Sequence, residues 1–134
     1  MTIALSVLLI VTAIVLIYYW VDFYTRGGVK VLKEDWYIRF QKAFPVADLW
    51  AAVCAIVGAI GLLTEQSYGL LFTLLAASSL IFLSLMDITF NIQNNLYRLV
   101  ATSSEMKSEL LGNIWFLGFG IALIVCLSPR VTLV

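Results

Sequence analysis

The chain has 134 residues, of which 63% are hydrophobic and 12% are charged, and its formal net charge is zero. A soluble domain of this size needs more polar surface to cover its core, so the composition excludes an ordinary soluble protein. The zero net charge argues against a nucleic-acid partner, and the absence of histidine removes the commonest metal ligand and proton-transfer side chain.

Four apolar runs are long enough to cross a bilayer, which takes about 20 residues per helix. We therefore expect an all-α, multi-pass integral membrane protein: a four-helix transmembrane bundle that forms one domain over residues 1–134. The first run lacks a basic leader and a small-residue cleavage site, so we interpret it as a retained span and not as a signal peptide. The predicted spans cover about 3–24, 45–64, 68–90 and 113–129.

A short amphipathic helix is predicted over about 29–44, between the first two spans. Large apolar residues recur there every four positions, and basic residues occupy the other side, as in helices that lie in the headgroup layer. Its cations would be attracted to anionic lipid. The predicted membrane-surface anchor residues are Trp36, Phe40, Phe44, Lys30, Lys33 and Lys42. A lid over the polar residues described below is the functional alternative.

Polar residues continue the third span at helical spacing, which places them on one face. Polar groups in a spanning helix face the bundle or a wet cavity, so we expect this face to point inward. The helix is expected to continue to about residue 98. This polar stripe comprises Ser84, Asp87, Asn91, Asn94 or Asn95, and Arg98. Thr102 to Glu105 then matches a capping box, with Thr102 as the N-cap of the fourth helix.

Small residues indicate the close-packing faces of the second and fourth spans, because they allow helix backbones to approach. In the second span, Ala51 or Ala52, Ala55 and Ala59 share a face with Asp48. In the fourth span, Gly118 and Ala122 are the predicted packing residues.

The distribution of cations predicts the orientation. Seven Lys or Arg residues lie in the first and third loops, and one lies on the other side. By the positive-inside rule, both termini lie outside the cytoplasm, in a plasma or inner cell membrane. The acids at the span ends then share the cytoplasmic boundary. Together with the stripe they predict a binding pocket for a ligand or ion, with the candidate residues Asp87, Asp48, Asn91, Asn94, Asn95, Asp22 and Arg98.

This pocket favours a non-enzymatic membrane protein that binds a partner subunit, an ion or an amphipathic ligand. Two alternatives remain: a lipid- or sterol-type enzyme that uses paired aspartates as acid and base, and a cation-coupled transporter that acts as an oligomer. The expected partners are the lipid bilayer and a membrane protein or a second copy. We expect no cofactor and assign no catalytic residue. Asp48, Asp87 and Asn91 would be the first ligands of a hard cation, but no motif fixes a metal site.

Overall fold

The computed structural model describes residues 1–27 and 31–131, and all regular structure in these ranges is helical. Four candidate spans are long and apolar enough to cross a membrane, which confirms the all-helical prediction. The α-helices are α1 (Thr2–Thr25), α2 (Asp35–Gln41), α3 (Pro45–Leu63), α4 (Ser67–Gln93) and α5 (Ser104–Leu127), and two 3₁₀ turns cover Leu96–Ala101 and Ser128–Arg130.

The long helices pack in chain order, α1 against α3, α3 against α4, and α4 against α5. Helices α1 and α5 share no comparably close backbone packing in the described chain. A side-chain hydrogen bond joins them instead, since Trp115 Nε1 donates to Thr12 Oγ1 over 3.3 Å. We call the gap between α1 and α5 the seam.

Small residues form the packing faces of α3. Ala51, Ala55 and Ala59 are at most 1% exposed, as their spacing predicts. A methyl group on Gly61 would overlap the backbone of Gly69 on α4, so these helices touch backbone to backbone. The contact lies at the end of the bundle where α3 turns into α4.

The predicted packing face of α5 is wrong. Gly118 and Ala122 are exposed, and a methyl group on Gly118 would meet nothing within 4 Å. Gly120 makes the close contact instead, against α4. The bulky side chains of Phe119 and Leu123 are buried in the bundle, and their packing contacts set the rotation of the helix.

The connection from α4 to α5 also differs from the prediction. Helix α4 ends at Gln93, and Asn95 adopts a left-handed backbone with φ of 53°. The polar stripe is therefore interrupted before Arg98. Ser103, not Thr102, caps α5: its Oγ accepts from Met106 N over 3.2 Å. Ser103 has the extended backbone that an N-cap requires.

Helix α2 is shorter than the predicted amphipathic helix, and residues 29 and 30 lie outside the described residues. Pro45 is the first residue of α3, as its fixed φ and missing N–H favour. The short link between α2 and α3 keeps α2 beside the end of the bundle where α1 ends, α3 begins, α4 ends and α5 begins. We call this the polar end.

Candidate functional site

A cavity of about 270 Å³ lies at the polar end. Its walls are mainly apolar and aromatic, and α1, α3, α4 and α5 all contribute to it. The apolar and aromatic lining residues include Val15, Leu16, Tyr19, Trp20, Phe44, Leu80, Leu83 and Phe116. The acidic lining residues are Asp22, Asp48, Asp87 and Glu109. The structure thus brings the three predicted aspartates to one cavity.

Asp48 is fixed by a hydrogen bond across the bundle. It lies in the first turn of α3 and is only 9% exposed. Trp20 Nε1 donates to Asp48 Oδ2 over 2.6 Å. The positive end of the α3 dipole adds a favourable interaction with a carboxylate at this position. Asp22 has a looser setting, since it is half-buried near the end of α1.

Asp87 lies in the cavity wall on α4. Its Oδ1 is buried without a hydrogen-bond partner among the described residues. Its carboxyl group is close enough to Asn113 and Glu109 to interact with both. Asp87 therefore presents an unused acceptor beside a second carboxyl group.

Glu109 is the centre of the polar network, and sequence reasoning missed it. Tyr37 OH donates to its Oε2 over 2.9 Å, and Asn91 Nδ2 donates to its Oε1 over 2.8 Å. These bonds join α2, α4 and α5. The capping box and Asn113 contained the missing signal: in a helix that begins near 104, Glu109 lies one turn before Asn113 on the same face.

Asn113 and Tyr97 attach the 3₁₀ turn to this network. Asn113 Nδ2 donates to the Tyr97 hydroxyl over 3.0 Å. Burial raises the pKa of Tyr97, so the hydroxyl stays neutral and keeps its own proton to donate. Two further buried polar atoms have no partner among the described residues, Gln41 Nε2 and Asn91 Oδ1. Gln41 belongs to α2 and lines the cavity.

Four predicted pocket residues do not line the cavity. Asn91 is fully buried and instead donates to Glu109, which does line it. Asn94, Asn95 and Arg98 are exposed. Asn94 Nδ2 bonds to the Phe90 carbonyl within its own helix, over 2.9 Å. The left-handed backbone at Asn95 explains the position of Arg98, because it directs the following chain away from the axis of α4.

The predicted surface-anchor residues divide into two groups. Trp36, Lys33 and Lys42 are exposed, whereas Phe40 and Phe44 pack against the bundle; Lys30 lies outside the described residues. The Phe40 ring stacks on Phe90 with centroids 3.6 Å apart, and Phe44 is buried beside Trp20. Much of the aromatic face of α2 is therefore occupied by protein. Membrane anchoring by the remaining residues stays a prediction.

A second, mainly apolar groove of about 420 Å³ runs along the outside of α1 and α3. Leu16, Trp20 and Asp48 line both the groove and the cavity. The Trp20–Asp48 hydrogen bond therefore lies in the wall that separates the two spaces.

The charge of the cavity defines its chemistry. In the described part of the chain, no Lys or Arg side chain lines it, and no three His, Cys, Asp or Glu side chains are grouped to hold a metal ion. Carboxylates in apolar surroundings are costly unless they are paired or hydrogen-bonded. The cavity therefore favours a bound group that donates hydrogen bonds.

Comparison with known proteins gives no family for this chain. No protein-family model matches it, and no curated protein or solved structure does. The cavity is therefore the basis for assigning a function.

Proposed function

We propose that this chain is a small multi-pass membrane protein whose cavity binds an amphipathic ligand. One observation carries the proposal: a single cavity joins apolar walls to carboxylates, in a bundle of helices long enough to span a bilayer. Small-molecule sites are typically apolar spaces with a few placed polar groups. A ligand with an apolar chain and a polar head matches both parts.

The membrane placement rests on composition and charge. Large apolar side chains cover the outside of the bundle; Ile3, Ile14 and Val46, for example, are 71%, 59% and 82% exposed. Lipid covers such a surface, as does a membrane partner or a second copy of the chain. The cation bias supports an orientation in a cell membrane with the polar end on the cytoplasmic side and both termini outside.

The seam offers a route for the ligand. Tyr18 on α1 and Gly112 on α5 line the cavity from opposite sides of the seam. Because no close backbone packing joins these helices, an apolar chain enters between them from the bilayer. The head group then reaches the acids without crossing the hydrocarbon core.

A second candidate function is acid–base chemistry on a lipid. The neighbouring carboxyl groups of Asp87 and Glu109 favour it, because two acids in one apolar site serve as proton donor and acceptor. Mass spectrometry of lipids incubated with the protein in nanodiscs tests this candidate. A product that forms with the native chain and disappears in Glu109→Gln supports it, and an unchanged lipid profile contradicts it.

Filling the cavity mouth tests ligand binding. A methyl group built on Gly112 would meet only the Phe116 ring, at 3.9 Å, so Gly112→Leu adds its side chain at the cavity wall without a backbone clash. Gly118→Leu is the matched control, because Gly118 lies on the same helix and is exposed. The measurement is saturable binding of three radiolabelled amphiphiles to protein in nanodiscs. Each carries a twelve-carbon chain: N-dodecylethanolamine, dodecanol and laurate.

We expect at least one amphiphile to bind saturably to the native chain and to Gly118→Leu, and not to Gly112→Leu. The proposal is overturned if none of the three binds above empty nanodiscs. It is also overturned if the two leucine variants bind equally well, since the ligand then occupies another surface.

A further inference from the structure

We infer that the polar head of the ligand is an ammonium group, so that the ligand is a long-chain amine. The inference rests on the proposed function, because it assigns the chemistry of the ligand in the same cavity. The reasons are the charge of the lining, the buried atoms without partners, and the aromatic walls.

The lining carries acids without cations. Asp48, Asp87 and Glu109 face the same space, and no Lys or Arg of the described chain lines it. Buried carboxylates need a counter-charge and hydrogen-bond donors. A ligand ammonium supplies both in one group, whereas a phosphate, sulfate or carboxylate head would be repelled.

Unpartnered buried atoms point to a ligand independently of the charge. Gln41 is 5% exposed and lines the cavity, and its Nε2 has no hydrogen-bond partner within residues 1–27 and 31–131. Asp87 Oδ1 lacks one as well. Leaving such atoms without a partner away from water is unfavourable. An ammonium N–H satisfies Asp87, and a hydroxyl group next to the amine accepts from Gln41, so an amino alcohol fits the pair.

The remaining walls suit an organic cation better than a metal ion. Trp20, Phe44 and Phe116 line the cavity, and aromatic rings attract cations through their faces. A hard metal ion instead needs several oxygen ligands around it, and no three acids among the described residues lie close enough together to hold one. The apolar residues toward the middle of the bundle then contact the chain of the amine.

Competition binding compares the affinities of ligands that differ in their head groups. Radiolabelled N-dodecylethanolamine is bound to protein in nanodiscs and displaced by unlabelled dodecanol or laurate, which have the same chain length. The variants are Asp87→Asn and Glu109→Gln, and the matched control is Asp35→Asn, an exposed acid on α2. Thermal unfolding of each variant shows that it is folded.

We expect the amine to bind more tightly than dodecanol and laurate by about 10-fold to 100-fold, the usual effect of a charge-assisted hydrogen bond. In Asp87→Asn and Glu109→Gln the ratio of amine affinity to dodecanol affinity falls toward one, and Asp35→Asn keeps the native ratio. Equal binding of amine and dodecanol overturns the ammonium assignment and leaves the amphiphile site intact. The ammonium assignment is also overturned if Asp87→Asn and Glu109→Gln both keep the preference for the amine. Absence of saturable binding by all three overturns the proposed function itself.

Discussion

The indole nitrogen of Trp20 donates a 2.6 Å hydrogen bond to the Asp48 carboxylate, and this bond joins the last turns of α1 to the first turn of α3. It holds one acid of the cavity in a fixed position. It also closes the wall between the cavity and the outer groove, because both residues line both spaces.

Removing the donor of this bond should destabilise the bundle. Trp20→Phe leaves the buried Asp48 oxygen without its partner, which costs about 1–3 kcal/mol. Asp48→Asn retains an oxygen acceptor and should lose less stability than Trp20→Phe. Thermal unfolding in detergent measures the change, with Trp50→Phe as the control because Trp50 is exposed on α3. If Trp20→Phe loses no more stability than Trp50→Phe, the hydrogen bond contributes nothing to the stability of the bundle.

Helix α2 should loosen when its link to Glu109 is removed. Tyr37→Phe deletes the hydroxyl that bonds to Glu109 and keeps the ring. A hydrogen bond to a charged group contributes about 1.5–3 kcal/mol, so amide exchange across α2 should accelerate by about 10-fold to 100-fold. Hydrogen–deuterium exchange by mass spectrometry measures the rate. Tyr24→Phe, an exposed tyrosine on α1, should leave α2 unchanged; equal effects of the two variants would contradict the prediction.

The glycine contact between α3 and α4 should not tolerate a methyl group. Gly61→Ala places a carbon against the Gly69 backbone, and such overpacking costs about 1–3 kcal/mol. Gly118→Ala has open space and should gain up to about 1 kcal/mol from its higher helix propensity. The unfolding temperature should therefore fall in Gly61→Ala and rise in Gly118→Ala. A stable Gly61→Ala variant would mean that the helices are farther apart than described.

Cysteine labelling should report the orientation of the bundle. Ser67→Cys lies at the exposed first residue of α4, and Lys33→Cys is exposed near the polar end. In intact cells, a membrane-impermeant maleimide should label Ser67→Cys and not Lys33→Cys. Inverted vesicles should give the opposite result. Labelling of Ser67→Cys from the cytoplasmic side would reverse the proposed topology.

The helices and much of their packing could be predicted from the sequence, because both follow from local patterns. Apolar length marks the four candidate spans, and the spacing of Ala51, Ala55 and Ala59 marks a buried side of α3. Ser6 and Thr12, the weak polar residues of the first span, are both fully buried. They identify the inner face of α1 when apolar periodicity alone does not.

The parts that sequence reasoning missed depend on interactions between distant residues. Glu109 becomes central only because Tyr37 and Asn91, far from it in sequence, donate to its two oxygens. The left-handed backbone at Asn95 ends the polar stripe, and no local pattern in the stripe indicates this. The rotation of α5 is set by how Phe119 and Leu123 fill the core together, which is a property of the whole bundle.

The Gly61–Gly69 contact has a mechanical consequence for the opposite end of the molecule. Asp48 lies 13 residues from Gly61 along α3, a distance of about 20 Å at the usual helical rise. Two helices that touch at one end rotate about that contact, so a small change in the angle between them moves their far ends. Tilting α3 by about 5° about this pivot moves Asp48 by about 1.7 Å over that length. The distance between the carboxylates on α3 and α4 therefore changes with small rotations of the two helices about this contact.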